Sequence, residues 1–471
     1  MATLPAWGLT GLLLIAVTIA LLWLLPTRYM RTRHPRPISH SSARESAEND
    51  AVSVQIVVLG DIGHSPRMQY HAQSIAKHGG QVTIIGYQVS PPSPELVSNP
   101  LVSIVSLPPP PKFLQTKNRL FFPVLAVIKA LQQTWCLWTA LAYHSNPTQW
   151  MLVQNPPAIP TLVIARLTCW LRNTQLIIDW HNFGYSILAL KLGWTHPMVK
   201  VMRHHELALC RYATAHVSVS NAMARILREE AKIKTPILVL HDRPPVLFQP
   251  IDGKKERLNF LSSLPETAAF VNAIRAGRRC ELLVSSTSWT PDEDFSVLLD
   301  ALCRYSVHAT TMNTSLPELH VIITGKGPQQ QIYLQAIASL RAAGKLRGIS
   351  ITCAWLTLQN YAKLLACASL GVCLHTSSSG VDLPMKVVDM FGAGLPVVGW
   401  DRYEAWPELV TEGVNGRGFG SAAELSHQLI DLFGENRSSL ESLRQGARNE
   451  SKRRWDDEWD PIAGKLLGLI P

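Results

Sequence analysis

From His375 to Val398 the chain reads HTSSSGVDLPMKVVDMFGAGLPVV, a polar, glycine-bearing loop between an apolar strand and a helix start. That layout suits a phosphate. The strand over 370–374 would end at His375, the turn with Ser378, Ser379 and Gly380 would offer backbone N–H groups, and a helix from about Pro384 would aim its positive end at the same point. Met385 and Lys386 fall in the first turn of that helix, Lys386 as the counter-charge to an anion. One turn further on, Asp389 would reach ribose hydroxyls. Loop, lysine and carboxylate together predict a site for a nucleoside diphosphate that carries a further group. The alternative is an ordinary strand-loop-helix unit with exposed serines.

Two more loops carry similar chemistry. Ser285-Ser286-Thr287-Ser288-Trp289-Thr290 closes a strand with a row of hydroxyls, Ser286 and Ser288 among them, and Thr324-Gly325-Lys326-Gly327-Pro328 closes the next. Lys326 would neutralise a departing diphosphate, while Gly325 and Gly327 keep the backbone near the ligand. This is not the P-loop pattern, because the spaced first Gly and the Ser/Thr after Lys are missing. The acidic triplet Asp292-Glu293-Asp294 is of a type that holds a divalent metal, but it opens a helix, where carboxylates cap free N–H groups and favour the dipole. No metal site is expected.

In the first half, Gly60-Asp61-Ile62-Gly63-His64-Ser65-Pro66-Arg67 follows a strand and precedes a helix without the full GxGxxG spacing. A dinucleotide fingerprint is therefore poorly supported. A loop that holds an acceptor diphosphate, with Gly63 for the turn and Arg67 nearby, fits better; a tight βα turn is the alternative. Asp179-Trp180-His181-Asn182-Phe183-Gly184-Tyr185 places a carboxylate and an imidazole where a strand meets a loop. Either could take the proton of an acceptor hydroxyl during a transfer that inverts an anomeric centre, and a purely structural His181 is the alternative.

The elements that must position these groups follow from the hydropathy pattern. With 471 residues, 47% of them hydrophobic, the chain can bury two cores. Trp7 to Leu25 is uncharged and long enough to cross a bilayer, and Arg28, Arg31, Arg33 and Arg36 follow it, which predicts an uncleaved anchor over 1–27 with the remainder on the cytosolic side. A polar stalk over 28–51 leads into a first βα series over 52–245. A linker and less ordered insertion over 246–279 precede a second βα series over 280–471. Such alternation predicts two Rossmann-like lobes with parallel sheets, whose ligands lie beyond the carboxyl ends of the strands and so between the lobes. The apolar segment Phe121 to Tyr143 is read as a buried helix, with contact to a bilayer as the alternative. The net charge of +10 favours anionic lipid and substrate, no recognition module for nucleic acid is present, and eight scattered cysteines without a CxxC pair suit a reducing compartment.

Taken together, GDIGHSPRMQYHA, QNPPAIPT, DWHNFGYSIL, HDRPP, SSTSWTPDEDF, TGKGP and HTSSSGVDLPMKVVDMFG resemble the chitobiosyldiphosphodolichol β-mannosyltransferases, from about Val54 to the C-terminus. The resemblance implies a GT-B fold, GDP-mannose as donor and β-1,4 transfer of mannose to GlcNAc2-diphosphodolichol, with inversion, on the cytosolic face of the endoplasmic reticulum membrane. It implies no required cofactor, with Mg at most a non-catalytic stimulant, and it suggests other mannosyltransferases of lipid-linked oligosaccharide assembly as partners. Asp389 takes the ribose role, Asp382 contacts mannose, and Asn155 of QNPPAIPT joins Gly63 and Arg67 on the acceptor side. Retaining GT-B families carry two glutamates eight positions apart, where this chain has Val381 and Asp389. The base stays open among His181, Asp179 and Asp61. A sugar-nucleotide epimerase and a non-catalytic anchored adaptor are the rival classes, the first disfavoured by the anchor and the second by the Lys326, Lys386 and Asp389 loops.

Overall fold

Short apolar runs alternating with amphipathic segments assemble into two parallel sheets in a computed structural model, which describes residues 17–22, 24–27, 51–109, 111, 122–311, 316–434 and 437–471, the side chains of 122–124 and 126 excepted. The first sheet holds β1 (Ser53–Asp61), β2 (Gln81–Tyr87), β3 (Val102–Ser106), β4 (Trp150–Asn155), β5 (Gln175–Trp180), β6 (Ala215–Ser218) and β7 (Ile237–Val239). Their order, β3-β2-β1-β4-β5-β6-β7, reverses direction between β1 and β4. The second sheet holds β8 (Cys280–Ser286), β9 (Glu318–Thr324), β10 (Ile349–Ala354), β11 (Leu370–Cys373), β12 (Val397–Trp400) and β13 (Gly416–Phe419), in the order β10-β9-β8-β11-β12-β13. The loops singled out above follow β1, β4, β8 and β11, which flank the two reversals, and β5 and β9 next to them. Ligands bind at such points because neighbouring loops diverge there and leave a crevice.

Between β1 and β7 run the helices α1 (Pro66–Lys77), α2 (Phe122–Thr139), α3 (Thr161–Arg172), α4 (Gly184–Leu192), α5 (Pro197–Leu209) and α6 (Asn221–Glu229). Strands such as β1 are buried along their length because helices cover both faces, which is why they read as continuous apolar runs. β3 escaped the sequence pattern. Its Val102-Ser103-Ile104-Val105-Ser106 lies at the sheet edge, pairs among the described residues with β2 alone and mixes serines with half-buried apolar residues. β13, built from Gly416-Arg417-Gly418-Phe419 at the other sheet's edge, was missed for the same reason.

The insertion is more ordered than expected. It forms α7 (Lys254–Ser263) and α8 (Ala268–Arg275), and Leu261, Phe270 and Val271 are buried in the same core as Leu282 and Val284 of β8. It therefore belongs to the second lobe. That lobe continues with α9 (Phe295–Thr311), α10 (Gln330–Ala342), α11 (Leu358–Cys367), α12 (Met385–Gly392), α13 (Ala422–Phe433) and α14 (Arg437–Glu450). The chain then crosses back through α15 (Trp455–Trp459): Trp455 Nε1 donates to Ser74 Oγ at 3.0 Å and Trp459 Nε1 to His71 Nδ1 at 2.9 Å, both on α1. The C-terminus is thus part of the first lobe's core, a correction to a boundary drawn at 280–471.

The expected anchor, Trp7 to Leu25, and the stalk fall largely outside the described residues. Among those described, no helix is long and apolar enough to cross a membrane.

Candidate active site between the lobes

On the first lobe, the end of β5 supports the site through Asp179, which is fully buried. Arg67 reaches it with two parallel bonds, Nε to Oδ2 at 2.9 Å and Nη2 to Oδ1 at 3.0 Å, and turns Nη1 to Asp242 at 2.7 Å. Burial by itself raises the Asp179 pKa, but the Arg67 charge outweighs it and holds the carboxyl well below the usual range. Asp179 is therefore an ionised support and not a proton acceptor. His181, partly exposed, places Nε2 2.9 Å from Asp179 Oδ2. An ionised carboxylate there fixes the hydrogen on Nε2 and leaves Nδ1 with the lone pair, the arrangement a general base needs.

Asp61, the other base candidate, is engaged differently. Its carboxylate accepts from the amides of Gly63 (3.3 Å), Val89 (3.1 Å) and Ser90 (3.1 Å) and meets His64 Nδ1 at 2.8 Å. Burial raises its pKa, but these donors together outweigh it and bring the carboxyl below its ordinary value. It pins the 89–90 loop. A Cβ on Gly63 would lie 2.7 Å from Ser90 O, so this glycine serves that close approach.

Two expected acceptor ligands are corrected as well. Arg67 is 3% exposed, with its donors taken by Asp179, Asp242 and the Leu240 carbonyl, so it has no free edge for a diphosphate. Asn155 is fully buried and donates from Nδ2 to Glu206 Oε1 at 2.6 Å. Glu206, itself buried, also accepts from the amides of Gly184 and Tyr185 at the start of α4, which fixes the loop carrying His181. A lone glutamate in α5 gave no sign of this.

On the second lobe, Glu293 organises three loops. It is 1% exposed and accepts from Thr287 Oγ1 at 2.7 Å and Ser288 N at 2.8 Å, while its other oxygen pairs with Lys386 Nζ. Asp294 caps α9 by accepting from Ser296 N at 2.9 Å, as the sequence suggested for the triplet; Asp292 and Glu293 instead hold the loop after β11. The Asp292 carbonyl accepts from Thr376 N at 3.0 Å. The Gly325-Lys326-Gly327 loop lies flat on this assembly: a Cβ on Gly325 or Gly327 would sit 1.8 Å from the Thr287 or Ser288 carbonyl oxygen. Lys326 is exposed, its Nζ 4.5 Å from the Trp355 ring centroid, and Ser286 Oγ lies 2.9 Å from Tyr361 OH.

The loop after β11 is held from within by Asp382, which accepts from Ser377 Oγ, from Ser379 Oγ at 2.8 Å and pairs with His375 Nε2 at 2.8 Å. Its oxygens are occupied in shaping the turn, so direct contact with a sugar is not its role here. Gly380 at φ 77° and Ser377 at φ 55° give the turn its left-handed residues. Burial opposes the charged His375 ring, yet Asp292 and Asp382 prevail and push its pKa up to about 9. The turn therefore carries an imidazolium beside the start of α12, where Met385 and Lys386 lie in the first turn. Asp389, one turn on, has no hydrogen-bonded side-chain partner among the described residues; burial and then the Asp242 charge push its pKa up to about 8.

The lobes meet at these groups. Ser378 Oγ lies 3.1 Å from both Asn182 Nδ2 and Ser186 Oγ, and Ser220 Oγ donates to the Val381 carbonyl at 2.5 Å. Glu408 caps α6 from the opposite lobe, accepting from the amides of Asn221 at 2.6 Å and Ala222 at 2.8 Å.

Residues 281–435 match the model of the glycosyl transferases group 1 family. The chain is 57% identical over 453 residues to a chitobiosyldiphosphodolichol beta-mannosyltransferase of Arthroderma benhamiae, covering 96% of each, and 40% identical over 417 residues to that of Yarrowia lipolytica, covering 88% of this chain and 86% of the relative. Among solved structures, sucrose-phosphate synthase from Thermosynechococcus elongatus superposes with a TM-score of 0.61 over 89% of this chain and 98% of that one, at 13% identity, a likeness of fold alone.

Proposed function

This chain belongs to the chitobiosyldiphosphodolichol beta-mannosyltransferases, and from that premise we propose how its cleft works: mannose passes from GDP-mannose to GlcNAc2-diphosphodolichol in a β-1,4 linkage, the first mannose of the lipid-linked oligosaccharide. An α-linked donor and a β-linked product require inversion, hence one displacement and one base. His181 is that base, its Nδ1 taking the acceptor hydroxyl proton while Asp179 steadies the imidazolium that forms. Asp61 and Asp179 do not act as bases.

Charge on the leaving GDP is met by groups already in place. The amides of the 377–380 turn, the start of α12, Lys386, Lys326 and the His375 imidazolium surround the diphosphate, and the ribose meets Asp389. On this reading no metal is required, and Mg acts as a stimulant at most. The lobes are tethered to the endoplasmic reticulum membrane by the N-terminal apolar segment and face the cytosol, where other mannosyltransferases of the same assembly are neighbours.

The contact of Asn182 with Ser378 carries this reading, since it brings the residue after His181 against the phosphate-type turn of the other lobe. Purified full-length protein is to be given GDP-mannose and a GlcNAc2-diphosphate on a short lipid, with UDP-glucose as the competing donor. Transfer from GDP-mannose in the presence of EDTA, a product cleaved by β-mannosidase, and a loss of about 10²–10⁴ in kcat for His181→Ala are expected. Transfer from UDP-glucose alone, or strict dependence on added manganese, would defeat it. The sequons at Asn313, Asn436 and Asn449 should stay unglycosylated in cells; glycan on any of them reverses the orientation.

A further inference from the structure

Helices α2, α3, α5 and α4 form one continuous layer on the first lobe, α2 against α3, α3 against α5 and α5 against α4. Their inward sides are buried, as Leu137 of α2 and Leu162 of α3 illustrate. Their outward sides are also apolar. On α3, Val163, Leu167 and Trp170 recur at helical spacing, and Trp170 is 78% exposed; on α2, Leu131 and Trp135 are 64% and 55% exposed. The connection from α4 to α5 adds Trp194, and α5 adds Val201. A row of this size left in water is costly, so it marks a surface that another apolar phase covers.

Charge selects the phase. In all four helices the single acidic side chain is Glu206, and it is fully buried. Lys129, Lys191 and Lys200 are exposed among the apolar residues, and Arg166 lies over the Tyr212 ring. Apolar side chains with flanking cations and no exposed anion fit an anionic lipid surface.

The tether leaves at the same place. Thr27 N donates to the Ala142 carbonyl at 3.2 Å, and Nη2 of Arg172, the last residue of α3, donates to that same oxygen at 2.6 Å. The exposed apolar helical stretch 17–22 thus precedes a chain pinned at the junction of α2 and α3. From there the α3 row runs to its start next to the β4 loop, at the rim of the cleft.

We propose that the outer surface of α2, α3, α4 and α5 lies on an anionic bilayer and sets the height of the cleft above the lipid headgroups. The proposal rests on the tethered-enzyme reading above only in requiring that the chain reside at a membrane; it needs no turnover.

The test uses the full chain in vesicles of phosphatidylcholine with and without phosphatidylserine. A benzophenone amino acid replaces Leu131, Leu167 or Trp170, one at a time, with exposed Ile332 of the second lobe as the reference position. Irradiation should give lipid adducts at the three positions and background at 332. In vesicles with phosphatidylserine, the triple variant Lys129→Glu, Lys191→Glu, Lys200→Glu should lower the adduct yield by at least about tenfold. Adduct yields equal to that at 332, adducts to protein in place of lipid, or a yield indifferent to the charge reversal would each overturn the proposal. Transfer activity is assayed in parallel, so a failed reaction with intact lipid adducts defeats the catalytic reading alone.

Discussion

Asn182 donates to Ser378 Oγ across 3.1 Å, joining residues 196 positions apart on opposite lobes. Asn182 follows the imidazole that Asp179 orients, and Ser378 sits in the turn shaped by Asp382. The imidazole and the serine turn therefore share one cleft, and each is stiffened by a buried carboxylate with its own cation.

The first of those pairs predicts a separation of stability from chemistry. Arg67→Met leaves Asp179 and Asp242 buried without their cation and should destabilise the chain by about 3–5 kcal/mol. Asp179→Asn should fold with Arg67 still tied to Asp242 and lower kcat with little change in KM. Thermal unfolding and steady-state kinetics check both; an Arg67→Met protein with the parent Tm contradicts the pairing.

Lys386 pairs with Glu293, and the proposed function gives it a second task toward the donor. Lys386→Met should lose stability, by about 3–5 kcal/mol from the uncompensated Glu293, and donor affinity as well. Adding Glu293→Gln should restore much of the Tm but not the affinity for GDP, measured by calorimetry. A double variant that regains GDP binding would show that Lys386 serves the loop only.

His375 predicts a pH dependence. Its folded pKa of about 9 exceeds the unfolded value near 6.5, so the folded state holds a proton that unfolding releases. That stabilisation is complete below pH 6.5 and fades as pH rises through 9. The stability advantage of the parent over His375→Gln, about 1.5–3 kcal/mol for a charge-assisted hydrogen bond at neutral pH, should therefore shrink between pH 7 and 10 when followed by thermal unfolding. A constant difference across that window would contradict a charged ring.

Gly327→Ala places a methyl 1.8 Å from the Ser288 carbonyl oxygen, so the Lys326 loop must lift from its seat. Donor KM should rise sharply while the far-ultraviolet circular dichroism stays that of the parent. Unchanged KM would place the donor away from this loop.

Much of this molecule was legible along the chain. Continuous apolar runs set the central strands because helices cover both of their faces, and the glycine-bearing loops after β1, β9 and β11 and the hydroxyl-rich loop after β8 followed from their position at strand ends. The edge strands β3 and β13 were not legible, since half-exposed residues carry no such pattern. Local chemistry likewise identified the 377–380 turn, Lys386 and His181 as functional candidates. It could not tell that Arg67 and Asn155 are internal braces, that Asp382 shapes a turn, or that Glu293, Glu206 and Glu408 hold loops distant in sequence. A carboxylate's role depends on which cation or amide lies within about 3 Å, and its ionisation on how much water remains. Residue type and spacing decided which groups were available; only the packing of two sheets and a returning C-terminus decided which of them are buried partners and which face the cleft.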